Sequence, residues 1–231
     1  MRVLVACEFS GVVREAFRAR GHDAWSCDLL PCDGDDRHHL RANVTNILDE
    51  GWDMMIAHPP CTYLCSSGLH WNKRVAGRSH YTEMALQFVG FLLGASIPKI
   101  ALENPVGCIS SRIRKPNQII QPWMFGHPES KTTCLWLKNL PVLAPTNVLP
   151  KPEGGRWSNQ TPSGQNKLGP SENRWRLRSV TYKGVAEAMA EQWSMPPTVS
   201  RANAAESPSA RAASSTTQTA PVPDQTARTD P

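Results

Sequence analysis

The chain has 231 residues and a net charge of +5. It contains no run of about eighteen apolar residues, so the sequence predicts no membrane-spanning helix. Its seven cysteines include no Cys-x2-Cys pair, which argues against a disulfide framework and a structural metal site and favours a reducing, cytoplasmic setting. The length is sufficient for one domain with a sizeable core.

The N-terminal half alternates β-rich and helical patterns. Strands are predicted at residues 2–7, 24–27, 53–57 and 99–102, and helices at 11–20, 44–50 and 81–96. Strands that alternate with helices in this way form a parallel sheet with helices on its faces. The sequence therefore predicts an α/β fold with a Rossmann-like, doubly wound, mostly parallel sheet.

The pattern becomes less regular after residue 105. Short strands are predicted at 119–120 and 133–137, a long loop at 141–170, where Pro, Gly, Asn and Ser are frequent, and a helix at 182–193. Residues 198–231 contain no aromatic residue and little Val, Leu or Ile, so they cannot bury enough apolar surface to fold. We predict a catalytic domain at 1–197 and a disordered tail at 198–231.

Positive charge is concentrated in residues 112–178, which hold eleven Lys or Arg and three Asp or Glu. A basic segment in a chain that is otherwise slightly acidic favours a polyanionic partner, and nucleic acid is the commonest one. The candidates for phosphate contacts are Arg112, Arg114, Lys131, Arg174, Arg176 and Arg178. The tryptophans that lie among them and could stack on bases are Trp123, Trp157 and Trp175, although Trp123 also fits a core position.

A loop suited to a cofactor follows the first strand and opens the first helix. Gly11 allows a ligand to approach the backbone, and the helix N-terminus favours a polar ligand group. Asp28 ends the second strand about twenty residues later, where an acid can accept hydrogen bonds from ribose hydroxyls. The combination predicts a nucleoside-containing cofactor, and the alternative is a plain β–α turn. The candidate contacts are Glu8, Phe9, Ser10, Gly11 and Asp28.

A candidate nucleophile follows the third predicted strand. Pro59 and Pro60 fix an extended, rigid turn, and Cys61 comes directly after it. The thiolate is the most nucleophilic side chain near neutral pH, so this position favours a catalytic role over a buried, inert cysteine. Cys65, four residues further on, is the weaker candidate.

A carboxylate occupies the corresponding position at the end of the next predicted strand. Glu103 at the end of an apolar strand is costly unless it is paired or used in function. Because ligands bind at the carboxyl ends of parallel strands, we expect Glu103 and Cys61 to meet at one edge of the sheet. The carboxyl group could hold N3 of a pyrimidine while the thiolate attacks C6.

With these residues the chain resembles the DNA cytosine-5 methyltransferase family, and its compact form is similar to small phage-type members. Pro60-Cys61 and Glu103-Asn104-Pro105 are similar to the family's Pro-Cys and Glu-Asn-Val motifs, and the resemblance covers about residues 1–195. Weaker matches are Phe9-Ser10-Gly11, Asp28 and the segment 180–186, which looks like the family's closing motif. The chain departs from the family in its single loop glycine, in Asn43 where an Asp is common, and in lacking a large recognition domain.

The resemblance implies the fold of S-adenosylmethionine-dependent methyltransferases. It also implies S-adenosylmethionine as methyl donor, and C5 of cytosine in DNA as acceptor, through a covalent Cys61 adduct. The implied catalytic residues are Cys61, Glu103, Asn104 and Pro60. The implied cofactor contacts are Glu8, Phe9, Ser10, Gly11, Asp28, Pro59 and Gly184. The family's Gln-x-Arg-x-Arg segment has no clear counterpart, and Arg112, Arg114 and Lys131 are candidates for its arginines. We expect a monomer that binds DNA, without a metal, in a bacterial or phage-infected cell.

Three alternatives remain open at this point. An amino-methyltransferase acting on N4 of cytosine or N6 of adenine uses two prolines at the same strand end, but with an aromatic residue where Cys61 stands. A degenerate, non-catalytic DNA-binding protein would fit the unusual cofactor loop. A related enzyme could transfer another one-carbon group to C5 of a pyrimidine.

Overall fold

A mixed, seven-stranded sheet forms the centre of the molecule. The computed structural model describes residues 1–164 and 166–194, so the predicted tail at 198–231 lies outside the described residues. The strands are β1 (Arg2–Ala6), β2 (Asp23–Asp28), β3 (His39–Arg41), β4 (Met54–Ala57), β5 (Lys99–Pro105), β6 (Gln118–Ile120) and β7 (Thr133–Lys138). Their order across the sheet is β3-β2-β1-β4-β5-β7-β6. β7 runs in the opposite direction to the other six strands, which confirms the predicted α/β fold with a doubly wound, mostly parallel sheet.

Helices cover both faces of the sheet. They are α1 (Val12–Arg18), α2 (Ser66–Leu69), α3 (Arg78–Leu93), α4 (Ile109–Arg112), α5 (Arg174–Ser179) and α6 (Lys183–Ser194), with short 3-10 helices at Val44–Asn46, His70–Lys73 and Pro122–Met124. In the part of the chain described here, none of them is long and apolar enough to cross a membrane.

Two apolar cores form because successive strand residues point to opposite faces of the sheet. On one face, Val5 and Ile56 pack with residues of α1 and α6 such as Phe17 and Met189. On the other face, alternate residues of the same strands pack with the apolar side of α3. The buried, β-branched and aliphatic strands of the N-terminal half are therefore covered on both sides, as parallel strands require.

The register of the central strands aligns four strand ends in one row. The last paired residues at the carboxyl ends of these strands are, from β2 to β5, Cys27, Ala6, Ala57 and Leu102. The residues that come next along the same strands are Asp28, Cys7, His58 and Glu103. Because neighbouring strands lie about 4.8 Å apart, this row spans roughly 14 Å across the carboxyl edge of the sheet. It contains the two acids that the sequence placed at strand ends.

Strand β5 is longer than the sequence predicts. Glu103 and Asn104 pair with Leu135 and Cys134 of the antiparallel β7, so the ladder continues past the parallel part of the sheet. The apolar pattern ends at Leu102, which is why the strand was predicted to stop there. Both polar residues are consequently held by backbone hydrogen bonds and not by a loop.

Candidate active site at the carboxyl edge of the sheet

Two contacts join the cysteine loop to β5. The Asn104 side-chain amide donates to the Pro59 carbonyl at 2.8 Å, in a buried position. His58 Nδ1 lies 3.1 Å from Glu103 Oε2, and the side chains of these residues are only 8% and 14% exposed. Cys61 lies close enough to Glu103 for the carboxylate charge to contribute to a raised pKa of the thiol. The structure thus brings the predicted nucleophile and the predicted acid together.

His58 is a site residue that the sequence analysis did not select. It is the first residue after β4 and stands beside Glu103 because Ala57 pairs with Leu102 in the parallel ladder. Its Nε2 atom is buried and has no hydrogen-bond partner within the described residues. The sequence signal for His58 is its position directly after a buried strand. The sequence analysis selected the two prolines that follow it instead.

The Glu103 carboxyl group is poised to be ionised in the ligand-free protein. Burial raises its pKa, but the hydrogen bond with His58 and the charge of Lys131 outweigh burial and hold the pKa below its usual range. A carboxylate that accepts from His58 requires the proton of that imidazole to be on Nδ1. In this state Glu103 acts as a hydrogen-bond acceptor.

The cysteine loop is docked tightly on the loop after β5. The Cys61 carbonyl accepts hydrogen bonds from the amides of Leu64 and Cys65, which forms one turn, and Cys108 donates to the Leu64 carbonyl at 2.9 Å. A Cβ atom on Gly107 would lie 1.9 Å from the Leu64 carbonyl oxygen, so only glycine allows this approach. The position of the thiol is therefore fixed by backbone contacts on both sides.

The thiols of Cys61 and Cys65 form an interacting pair one turn apart. The interaction of the two thiols, together with burial, raises the pKa of Cys61. The same interaction, with help from Ser67, the Gly68 amide and the charge of Arg178, lowers the pKa of Cys65 to about 5. The two thiols therefore share one proton, and Cys65 is the more acidic member of the pair.

Alkylation by iodoacetamide between pH 4 and pH 9 is expected to show this charge distribution. The rate at Cys65, followed by peptide mass spectrometry, should rise with a midpoint near pH 5, because the thiolate is the reacting species. The buried Cys27 and Cys134, whose pKa values are raised by burial, should stay unmodified at pH 6. In Cys61→Ala the midpoint for Cys65 should move upwards; a midpoint above pH 8 in the wild-type protein would contradict the pair.

Glu8, in the predicted cofactor loop at residues 7–11, caps the N-terminus of α1 with its carboxylate. Its carboxylate accepts hydrogen bonds from the Val13 amide at 2.7 Å and the Arg14 amide at 3.3 Å, and Ser10 Oγ donates to it at 3.3 Å. Burial raises the pKa of Glu8, and the charge of His58 and the two amides partly offset this. The side chain is 4% exposed, so Glu8 acts here as the cap of α1, and its predicted cofactor contact remains a prediction.

Arg14 is a second residue that the sequence analysis missed. It is 1% exposed, and its guanidinium donates to Ser26 Oγ at 2.9 Å and to the Asp35 carbonyl at 2.7 Å. These bonds tie the loop that follows Asp28 to β2 and α1. A Cβ atom on Gly11 would lie 2.7 Å from this guanidinium, and Gly11 itself has a φ of 72°, so the loop position requires glycine for two reasons.

The residues at the end of β1 and β2 suit a nucleoside-containing cofactor. The chain leaves β1 towards β2 on one side and returns to β4 on the other, and ligands of such sheets bind in the crevice where the direction changes. Asp28 stands at the end of β2 with its Oδ1 atom accepting from the Leu30 amide at 3.0 Å. Asn43 follows β3 and accepts from the Thr45 amide at 3.1 Å. Asp28 and the turn at Gly11 both lie at this end of the sheet, and their contacts with a cofactor remain a prediction.

Helix α5 covers the cofactor loop. The Trp175 ring meets the Phe9 ring edge-on at 5.7 Å, and the Arg176 guanidinium lies 5.0 Å from the centre of the same ring. Arg176 also forms an ion pair with Asp33. Phe9 is consequently 6% exposed, and Arg176 is engaged within the protein.

The other predicted phosphate ligands fall into two groups. Arg112 forms a double hydrogen bond with Glu83 at 3.0 and 2.8 Å, and Arg114 donates to the Leu137 carbonyl at 3.0 Å. Lys131 lies at the catalytic end, where its charge acts on Glu103 and its Nζ atom donates to the Arg178 carbonyl at 2.8 Å. Of these candidates, Lys131 and Arg178 therefore act electrostatically on the predicted catalytic side chains. Arg174 is half-buried, and its phosphate contact stays a prediction.

The structure corrects the predicted role of Trp157 and gives a different reason for the glycine at position 184. Trp157 is 8% exposed and stacks on Trp123 with their ring centres 5.9 Å apart, so its predicted role in base stacking is wrong. Gly184 donates its amide to His127 Nε2 at 2.9 Å, and a Cβ atom there would lie 2.0 Å from the Phe125 carbonyl. Close packing of α6 thus explains the glycine without a cofactor.

Among residues 1–164 and 166–194, no group of three or more His, Cys, Asp or Glu could hold a metal ion.

No protein-family model matches the chain, and no curated protein matches it. A solved structure described as a candidate DNA modification methyltransferase, encoded within a prophage of E. coli, is 13% identical with a TM-score of 0.40; the match covers 65% of this chain and 52% of that one. A mutant of Spodoptera frugiperda DNMT2 is 16% identical with a TM-score of 0.36, covering 73% and 60%. The chain spans less than two thirds of the length of either structure.

Proposed function

We propose that this protein is an S-adenosylmethionine-dependent DNA (cytosine-5-)-methyltransferase. The observation that carries the proposal is the double connection of the cysteine loop to β5, through Asn104 with Pro59 and through His58 with Glu103. Methylation at C5 of cytosine needs a nucleophile at C6 and a hydrogen-bonding acid at N3 and the exocyclic amine, on the same ring. A thiol and a carboxylate held at the same edge of the sheet would meet that requirement.

Proton transfer within the cysteine pair prepares the nucleophile. Cys61 and Cys65 interact, with the pKa of Cys61 raised and that of Cys65 lowered, so the pair shares one proton. Attack on C6 requires the Cys61 thiolate, so this proton must lie on Cys65 when the Cys61 sulfur forms the bond to C6. Cys65 is thus the proposed holder of the proton during the attack.

Glu103 acts on the side of the cytosine ring that carries N3 and the exocyclic amine. As a carboxylate it accepts a hydrogen bond from the exocyclic amine of cytosine. A proton that Glu103 takes up from solvent when the base binds would pass to N3 as electron density moves there from the new bond at C6, and would return to Glu103 when Cys61 leaves. Asn104 does not contact the base in this scheme; its bond to Pro59 holds the cysteine loop in place. His58 orients the carboxylate through Nδ1.

Residues at the cofactor end would hold the methyl donor. Asp28 would accept hydrogen bonds from the ribose hydroxyls, and the turn at Gly11 would admit the rest of the molecule to the end of β1. When bound, the donor supplies an electrophilic methyl group on sulfur, which C5 takes up. Loss of the C5 proton to a base then allows the Cys61 thiolate to leave, so the nucleophile is restored and one proton is released.

The DNA must present its cytosine outside the helical stack. Both faces of a base inside a duplex are covered by its neighbours, so Cys61 could reach C6 only in a flipped or single-stranded nucleotide. Lys131 and Arg178, whose charges act at the catalytic end, are suited to the phosphates beside that nucleotide. The remainder of the basic segment 112–178 would contribute to binding without reading sequence.

Nucleoside mass spectrometry of DNA incubated with the wild-type protein and S-adenosylmethionine tests the proposal. The expected product is 5-methylcytosine. A methylated exocyclic amine would replace the proposal with the amino-methyltransferase reaction, and another C5 substituent would indicate a different one-carbon donor. If equilibrium dialysis finds no binding of S-adenosylmethionine and no modified base forms, the proposal fails in favour of a non-catalytic DNA-binding protein.

A further inference from the structure

An aromatic cleft lies directly after the cysteine loop, at the start of α3. It is lined by Tyr63, Trp71, Val75, Ala76, Arg78 and Tyr81. The rings of Tyr63 and Tyr81 stack with centres 5.3 Å apart, while Trp71 and Tyr81 are 45% and 52% exposed. Large aromatic side chains gathered in one exposed depression indicate a binding surface.

Cations accompany these rings, and acids are absent from the segment. Residues 54–82 contain Lys73, Arg74 and Arg78 but no Asp or Glu. The Arg78 guanidinium lies 4.5 Å from the centre of the Tyr63 ring, and that of Arg74 lies 5.6 Å from the centre of the Trp71 ring. Flat apolar rings beside fixed positive charges are complementary to a nucleotide, whose base stacks while its phosphate is neutralised.

The cleft is fixed in relation to the nucleophile. Thr82 Oγ1 donates to the Tyr63 carbonyl at 3.0 Å and accepts from Asn72 Nδ2 at 2.8 Å, and Arg78 donates to the Thr62 carbonyl at 3.1 Å. A Cβ atom on Gly68 would lie 2.3 Å from the same Thr62 carbonyl, so the segment is packed backbone against backbone. Little ordering would be needed when a ligand binds, which favours affinity.

We infer that this cleft binds an unpaired base of the DNA strand, next to the cytosine that reacts with Cys61. Tyr63 follows Cys61 by two residues, so their Cα atoms are at most about 7 Å apart, a separation suited to neighbouring nucleotides. Only a base whose face is free can stack on the exposed rings of Trp71 and Tyr81, so the cleft selects single-stranded or locally opened DNA. The inference rests on the proposed function and specifies its substrate class.

Binding of a fluorescently labelled single-stranded oligonucleotide with one cytosine tests the cleft without requiring catalysis. The double variant Trp71→Ala/Tyr81→Ala should bind at least about tenfold more weakly by anisotropy, since both stacking rings are lost. Trp71→Phe/Tyr81→Phe should stay within about threefold of the wild type because it keeps the rings. The matched control is Phe91→Ala, an equally exposed aromatic residue of α3 outside the cleft, at 53% exposure, and it should bind as the wild type does. Thermal melting of each variant checks that it is folded.

Abasic substitutions along the oligonucleotide locate the stacked base. Removing the base at one or two positions adjacent to the cytosine should weaken binding to the wild-type protein about as much as the double variant does. The same substitutions should have no further effect on that variant. The inference is overturned if the double variant binds normally, if the abasic effect is uniform along the strand, or if the wild-type protein does not bind single strands. A protein that binds through the cleft but makes no methylated base would instead overturn the proposed function alone.

Discussion

Replacing Cys61 with Ser is expected to reduce 5-methylcytosine formation by about three orders of magnitude or more, because a hydroxyl is a far weaker nucleophile than a thiolate. The measurement is nucleoside mass spectrometry under single-turnover conditions. Binding of S-adenosylmethionine should be unchanged, since Cys61 stands at the end of β4 and not beside Asp28. A second readout is trapping on DNA that contains 5-fluorocytosine. The fluorine cannot be removed in place of the C5 proton, so wild-type protein should accumulate a covalent complex and Cys61→Ser should not.

Cys108→Ser is the matched control for this experiment. Cys108 is half-buried in the neighbouring loop, carries a thiol of raised pKa and forms no part of the proposed mechanism. It should retain both methylation and trapping. Methylation that survives Cys61→Ser would remove Cys61 as nucleophile. If activity were instead lost in Cys65→Ser, with trapping at Cys65, the roles of the two thiols would be reversed.

Replacing Glu103 with Gln is expected to lower kcat by roughly a hundredfold to ten-thousandfold, the range found for removal of a positioned acid or base. The amide has nearly the same shape but cannot share a proton with N3, and it offers His58 a neutral partner. Steady-state kinetics with a cytosine-containing oligonucleotide gives kcat and KM separately. The effect should fall on kcat, because the proton is needed as the ring accepts the nucleophile.

Glu83→Gln provides the corresponding control at an exposed position. Glu83 pairs with Arg112 on the surface of α3, and both side chains are about half exposed, so the variant should keep full activity. Retention of more than a tenth of kcat in Glu103→Gln would show that this carboxylate is not the group that acts at N3. A rise in KM with unchanged kcat would place Glu103 in substrate binding only.

The fold was largely predictable because its central strands are buried on both sides. Continuous apolar runs such as that ending at Ala57 mark parallel strands, and helical periodicity marked α1 and α3. The helix predicted at 44–50 was wrong, since only a short 3-10 helix forms there, at Val44–Asn46. The three-residue β3 was missed because its only hydrogen-bonded neighbour is β2 and its residues are polar or half-exposed. The continuation of β5 through Glu103 was missed because it depends on an antiparallel neighbour about thirty residues later, which local pattern cannot reveal.

The residues of the candidate site were predictable where a reactive residue type stands at the end of one strand. They were not predictable where a residue's role depends on contacts between strands. Cys61 and Glu103 stood out because a thiol after two prolines and an acid after an apolar run are unusual. His58 and Arg14 were overlooked, since their contacts are with residues distant in sequence. Glu8 was predicted from its loop position, but burial and the amides of α1 determine what its carboxylate does.

The aligned strand ends have a consequence for how this chain can vary. Asp28, His58 and Glu103 take their mutual spacing from backbone hydrogen bonds between β2, β1, β4 and β5, which do not depend on side-chain identity. The loops that leave these strands can therefore change in sequence without altering the spacing of Asp28, His58 and Glu103 along the edge of the sheet. Inserting one residue within β4, in contrast, would turn His58 to the opposite face of the sheet and remove it from Glu103.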